Sequence, residues 1–405
     1  MTELSNYLEG GQRIFVAGSV NEPTTLLDEL GQQPLPADLE FVQFPLGGFN
    51  RTDFTALNET TRFTTFFMTS HLLDADPARL NFLPKQMRQV FDYLSQDIDV
   101  AMLQAAYDAQ GTLRIGPNVD YAGAVLGCAK VLMVEVNRSF VAPPGCPELD
   151  AAKIDYLVES RRPLFEMQPP VIDATARQIG HHVAALITDG DCIQTGIGAI
   201  PAAILAALKE HNDLGLHGGL LDDGGMALID AGNITGKNKP IDRERHVTGM
   251  ALGTHRLIEW LADTPAVVFK GADYTHEVAV IRQIPQFVSI NSALEIDLYG
   301  QLNAEFANGR QLSGTGGSVD FMRAARASSG GRSIIALPAT ARSGTVSRIV
   351  PRTTMVTALR TDIDTVVTEY GVARIADLGV RARAQALLEI AAPEFRETLR
   401  RQLPS

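Results

Sequence analysis

Cysteine is scarce in this chain: Cys128, Cys146 and Cys192 are the only three among 405 residues, odd in number and far apart. No Cys-x-x-Cys pair and no mixed Cys/His ligand spacing occurs, so the thiols are read as reduced and neither a disulfide framework nor a structural zinc site is expected. Long apolar runs are missing as well. Nothing approaches the ~18 uninterrupted apolar residues that a membrane span requires. Met1–Gly11 carries Glu3 and Glu9 where a targeting segment would carry basic and then apolar residues. The expected compartment is therefore the cytoplasm, or a matrix reached without a visible address. Positive charge is also short, with 35 Lys and Arg against 47 Asp and Glu, a formal net charge of −12. A field of that sign repels polyanions, which argues against non-specific nucleic-acid and anionic-membrane binding but not against a local patch holding a small phosphorylated ligand. The eight histidines include no HxxxH or HExxH pair. His181 and His182 are adjacent and face different directions on a helix, so no metal site is expected.

What the chain does have is a steady alternation of short apolar runs and longer helical patterns. Arg13–Ala17, Val100–Leu103, Val131–Val136, Cys192–Thr195, Ala266–Phe269, Ser333–Leu337 and Thr365–Thr368 read as buried strands. Pro23–Leu30, Leu83–Leu94, Pro201–Glu210, Phe321–Ala327 and Val380–Ile390 read as helices. Continuous apolar strands separated by helices imply α/β architecture, with largely parallel sheets covered on both faces. A weak repeat runs through this pattern: strand, glycine, four residues, proline, helix, once at Ile14–Leu27 and again at Ile193–Leu205. Proline in a first helical turn gives up no needed hydrogen bond. Two similar α/β domains are expected, residues 1–170 and 171–405, divided by the Pro-rich, poorly periodic stretch Arg162–Pro170.

Three glycine-bearing loops fall in the second domain. Gly196-Ile197-Gly198-Ala199-Ile200-Pro201 follows a strand and opens a helix, where backbone can approach a ligand closely and N–H groups face negative charge. It lacks the third glycine of a dinucleotide fingerprint, so a nicotinamide dehydrogenase is poorly supported. Gly314-Thr315-Gly316-Gly317-Ser318 has the small residues of an amide nest suited to an oxyanion or phosphate. Gly344–Pro351 adds the hydroxyl of Ser347 and the guanidinium of Arg348. Their shared position near strand ends points to one crevice at the carboxyl ends of the strands. His217, beside Asp222 and Asp223, is a candidate base or a structural residue. Glu295 reads as a strand-edge charge, and Glu369 as an acceptor for a ligand hydroxyl or a turn cap.

Taken in order, Gly196–Pro201, Ser289–Leu298, Ser313–Phe321, Ile335–Thr340, Ser347–Pro351 and Val367–Gly371 strongly resemble the acetyl-CoA hydrolase/CoA-transferase family, and the 4-hydroxybutyrate CoA-transferase branch in particular. The resemblance covers nearly the whole chain. It implies a site in the cleft between two α/β domains, a homodimer, and coenzyme A as part of an acyl-CoA substrate, with a small carboxylic acid as second substrate. In such enzymes a glutamate attacks the thioester carbonyl and passes through an acyl anhydride to a glutamyl-CoA thioester. By the match, the oxyanion would be held by the amides of Ile197 and Gly317. Gly196, Gly198, Gly316, Ser347, Arg348 and Glu369 would border the CoA moiety, with Arg342 and Lys237 as further cations.

The chain departs from the family pattern at the nucleophile. Gly215-Leu216-His217-Gly218-Gly219 stands where transferases read Gly-Ile-His-Thr-Glu, so the glutamate position falls on Gly219. His276 is a second departure, at a place where relatives often carry asparagine. Three readings stay open. One is a hydrolase with His217 or Asp222 as general base. Another is CoA transfer, either direct or through a relocated carboxylate such as Glu295 or Asp222. The last is a CoA-binding subunit without chemistry.

Overall fold

The computed structural model describes residues 3–404; Met1 and Thr2, part of the N-terminal segment read above, lie outside the described residues. The chain divides into two compact units. The first comprises Met1–Gln168 and Val247–Thr275, the second Pro169–His246 and His276–Ser405. The expected division at residue 170 therefore misses an excursion: the segment 247–275 returns to build onto the first unit. It is held there by backbone pairing, with Val119 N–H donating to Gly249 O at 2.9 Å, Ala251 N–H to Pro117 O at 2.9 Å and Phe269 N–H to Gly145 O at 3.0 Å. Gly145 permits this approach, since a Cβ there would stand 1.9 Å from Val267 O.

In the first unit the sheet runs Leu80–Phe82, Arg62–Thr65, Glu40–Gln43, Arg13–Val16, Val100–Tyr107, Val131–Asn137 and Tyr156–Ser160. Every one of these pairings is parallel, and Leu113–Ile115 folds back antiparallel on Val100–Tyr107. Val100–Ala106 is buried throughout, as a strand covered on both faces must be. The core includes Phe41, Phe54 and Phe63, all fully buried, with neighbouring ring centroids 4.7 and 4.9 Å apart. Aromatic contacts of this kind add ~0.5–1.5 kcal/mol each beyond area burial.

In the second unit the strands are ordered Gly215–Leu216, Cys192–Gln194, Phe287–Asn291, Arg332–Ala336, Thr365–Thr368 and Gly371–Arg374. All pair in parallel except the last. Four of the inner strands thus point their carboxyl ends the same way, and the loops that leave those ends are brought side by side. The helix Ala174–Ala184 starts where Asp173 accepts from Ala176 N–H at 2.7 Å, an N-cap bond of a type worth ~1 kcal/mol. Helix Ala199–Ala207 takes Pro201 in its first turn, as its sequence position requires. A core of Ile335, Leu337, Ile349, Val366, Leu387 and Leu388 fills the space beneath the sheet's later strands.

Candidate active site

Within the second unit, a cavity of about 580 Å³ opens at the carboxyl ends of the four adjacent parallel strands. After Cys192–Gln194 comes the loop Ile197–Pro201; after Phe287–Asn291, Ser292; after Arg332–Ala336, Pro338 and Thr340–Gly344; after Thr365–Thr368, Glu369. Each contributes to the lining, together with Arg348 and with Asp173 and Thr175 at the start of Ala174–Ala184. Two helices therefore begin at this cavity. Their unsatisfied N–H groups favour a negatively charged or strongly accepting ligand. The size suits a small-molecule site.

The residues expected from the sequence divide sharply here. Ile197, Gly198, Arg348 and Glu369 line the cavity, as does Arg342. Ile197 is exposed, and Gly198 adopts φ 112° and ψ −175°, a conformation that effectively only glycine holds. Arg348 is half-buried and spends its guanidinium on the fold. It donates from Nη1 to Ala293 O at 3.2 Å and Leu294 O at 3.0 Å, and from Nε to Thr340 O at 3.3 Å. Burial pulls its pKa down, with the Glu369 carboxylate opposing that shift. Glu369 accepts from Ala339 N–H at 2.8 Å through Oε2, which fixes the cavity wall.

Other expected residues lie elsewhere. The Ser347 hydroxyl bonds its own neighbourhood, donating to Ile349 O at 2.7 Å, and the residue is absent from the lining. Gly316 (φ 55°) and Gly317 lead into helix Ser318–Ala327, with Gly317 as its N-cap; neither they nor Gly196 line the cavity. The expectation that all three glycine loops share one crevice is thus corrected to two. Lys237 is engaged by Asp213 at 2.7 Å. Sequence reasoning missed Asp173, Thr175 and Ser292. Ser292 carried a usable signal, since it directly follows a strand of the same parallel sheet.

The stretch after Gly215–Leu216 leaves the same edge of the sheet, since that strand runs parallel to Cys192–Gln194, but it is not part of the cavity lining. His217 is completely buried, its ring edge-on to Phe287 with centroids 6.3 Å apart. The ring is not part of the cavity lining, so this cavity offers no support for the expected general base. Asp222 is the N-cap of helix Asp223–Asp230, accepting from Gly225 N–H at 2.9 Å; burial raises its pKa, against that hydrogen bond. Glu295, the half-buried first residue of the otherwise buried strand Glu295–Asp297, accepts from Asn303 Nδ2 at 2.9 Å. Gly219 is half-buried, and a Cβ built on it would meet the ring of His276.

A parallel α/β sheet whose carboxyl-end loops enclose a cavity with two helix N-termini has a layout suited to an anionic small molecule. The comparisons narrow this reading. The model of the acetyl-CoA hydrolase/transferase C-terminal domain matches residues 253–403. The chain is 36% identical over 401 residues to the 4-hydroxybutyrate coenzyme A transferase of Clostridium kluyveri, covering 97% of this chain and 94% of that one. Among solved structures, RipA from Yersinia pestis superposes with a TM-score of 0.90 at 32% identity, covering 98% of this chain and 94% of that one. The 4-hydroxybutyrate CoA-transferase of Porphyromonas gingivalis gives 0.81 at 31% identity, with the same coverage. The chain belongs to the acetyl-CoA hydrolase/transferase family, whose members act on acyl-CoA thioesters. Among the described residues, no helix is long and apolar enough to cross a membrane.

Proposed function

We propose that this protein cleaves acyl-CoA thioesters without a glutamyl-CoA intermediate, most simply as an acyl-CoA hydrolase. The carrying observation is the fate of the carboxylates. Position 219, assigned by resemblance to the nucleophile, is glycine. Those that would replace it are engaged in the fold: Asp222 caps a helix and Glu295 holds Asn303. In this reading the thioester lies in the cavity, its carbonyl oxygen toward the amide of Ile197. One such donor contributes ~3 kcal/mol to catalysis. Two carboxylates line the cavity, Asp173 and Glu369; Asp173 caps its helix through Ala176 N–H, and Glu369, which holds Ala339 N–H through Oε2 alone, is taken to orient a water. Water adds to the carbonyl, the C–S bond breaks, and the thiolate leaves with a proton to give free CoA and a carboxylic acid.

The names of the relatives favour a second reading, CoA transfer to a small carboxylic acid, either direct or through a relocated carboxylate. A cytoplasmic homodimer belongs to the same proposal, and light scattering tests the dimer. The deciding experiment incubates the protein with short and medium acyl-CoAs, with and without acetate, following free thiol and new thioester separately. Acetate-independent thiol release is the expected outcome. Acetyl-CoA formed only with acetate would establish transfer instead. CoA binding with no turnover of any thioester would discard both enzymatic readings.

A further inference from the structure

Nothing in the backbone requires glycine at position 219. The residue is not among those with positive φ, so an L side chain would be acceptable to the chain itself. What forbids one is a neighbour. A Cβ on Gly219 would lie 2.9 Å from His276 Cε1, 3.1 Å from His276 Nε2 and 3.8 Å from Phe321 Cζ. Contacts that close to a ring are repulsive, and a packed interior relaxes only partly to relieve them. The ring has little room to retreat. His276 is 1% exposed and lies against Phe321 with centroids 4.4 Å apart; Phe321 in turn lies 6.4 Å from Phe287. Phe321 belongs to helix Ser318–Ala327, and residue 276 is fixed between the helical turn Ala272–Thr275 and Glu277, the N-cap of Val278–Ile281.

We propose that Gly219 and His276 are a matched pair, in which the imidazole occupies the volume a side chain at 219 would need and so closes that position to a covalent nucleophile. The inference rests on the reading of position 219 given above, but its packing half stands independently. His276 is here a positioning residue. Burial lowers its pKa to about 3, so the ring is neutral at ordinary pH and adds no charge beside Gly219. The two departures from the family pattern are thereby one change made at two positions: with the ring in place, glutamate cannot enter at 219.

A double-mutant cycle on thermal stability tests the packing, using Gly219→Ala, His276→Ala and the double variant. Gly219→Ala alone is expected to lower Tm by at least about 4 °C, and to cost less than about 1 °C when His276 is already alanine, because contacting residues are non-additive. A second arm places Gly219→Glu in each background and follows intact protein mass after mixing with acetyl-CoA. The added carboxylate would attack the thioester carbonyl and expel the CoA thiolate, leaving a mixed anhydride. The thiolate would then return to the glutamyl carbonyl and release acetate. The expected result is a protein–CoA thioester in Gly219→Glu/His276→Ala and none in Gly219→Glu alone. Equal Tm losses for Gly219→Ala in both backgrounds would overturn the pairing wherever substrate binds, and so would an adduct with His276 intact. Coupled Tm losses without an adduct in the double variant would uphold the pairing and remove position 219 from the thioester site. Should Gly219→Glu not fold, the alanine cycle still decides the packing question.

Discussion

The loop Gly196–Pro201 contains two glycines that the structure uses differently, and this contrast yields a quantitative test. Gly198 stands at φ 112° and ψ −175°, whereas Gly196 has no positive φ. A Cβ on either would find no atom within 4 Å, so neither glycine is needed for space. The cost of Gly198→Ala is therefore backbone strain alone, ~1–3 kcal/mol for a non-glycine residue in that region. Gly196→Ala should stay within ~0.5 kcal/mol of the parent. The strain must appear somewhere. If the loop holds its shape, the protein loses that stability; if the loop relaxes, the cavity wall at Ile197 moves and ligand affinity falls. At 1.4 kcal/mol per factor of ten, full transfer to binding would weaken CoA roughly 5- to 150-fold. Urea unfolding and calorimetric titration with CoA, run on both variants, should give stability and affinity losses for Gly198→Ala that sum to ~1–3 kcal/mol. A Gly198→Ala protein indistinguishable from Gly196→Ala in both measurements would refute the argument.

Arg348→Lys replaces a fork serving three carbonyls, Ala293 O, Leu294 O and Thr340 O, with one ammonium. It should cost ~1–3 kcal/mol in urea unfolding and weaken CoA binding, since Arg348 itself and Thr340 line the cavity. In the first unit, Asp120 is buried and its Oδ1 has no hydrogen-bond partner among the described residues; burial raises its pKa to about 7. The folded state then holds a proton that the unfolded state releases above its ordinary pKa of 3.8, so stability falls as pH rises from about 4 to about 7. Asp120→Asn should remove that slope, its advantage over wild type growing by at most ~4 kcal/mol between pH 4 and pH 8; a pH-independent difference would contradict this. Arg162 donates from Nε to the wholly buried Glu135 carboxylate at 2.8 Å and from Nη2 to Glu22 O at 3.0 Å. Arg162→Ala should cost ~3–5 kcal/mol by stranding that charge, and Glu135→Gln in the same chain should recover part of it.

The second unit's sheet is more legible in the sequence than the first's. Ser333–Leu337 and Thr365–Thr368 can be read nearly to the residue because inner parallel strands must be apolar on both faces. Glu40–Gln43 and Arg62–Thr65 give no such signal because they mix apolar with polar residues that find partners only in the fold. Thr64 Oγ1 donates to Glu40 Oε1 at 2.8 Å, for example, across 24 residues. The excursion 247–275 is invisible for a similar reason, since it is anchored by backbone bonds to residues more than a hundred positions earlier. At the site, position along the chain is enough to find Ile197, Gly198, Arg348 and Glu369, which come after strand ends or face them. Side-chain direction is not legible. His217 carries the chemistry of a base, and its burial results from packing against Phe287, which lies seventy residues further along the chain.

The sequence repeat shows how far local pattern can carry function. Both units place a glycine just after a strand and open a helix a few residues later. In the first unit, however, a Cβ on Gly18 would stand 2.1 Å from Phe44 O. Ser19, buried and at φ 56°, donates its N–H to Asn50 Oδ1 at 2.7 Å, while Asn50 Nδ2 returns a bond to Ser19 O at 3.1 Å. Glycine there is demanded by close packing, and the loop is sealed. In the second unit, Gly196 and Gly198 have open space around them and the loop faces a cavity. The same rhythm thus marks a topologically equivalent turn in each unit. The residues that leave the neighbouring strand decide how that turn is used. Asn50 lies beyond Glu40–Gln43 and closes one loop, whereas Ser292, just past Phe287–Asn291, lines the cavity beside the other. In this chain the glycine loop that opens on a cavity is the one beside a strand whose carboxyl end supplies a lining residue, Ser292, from about a hundred residues further along.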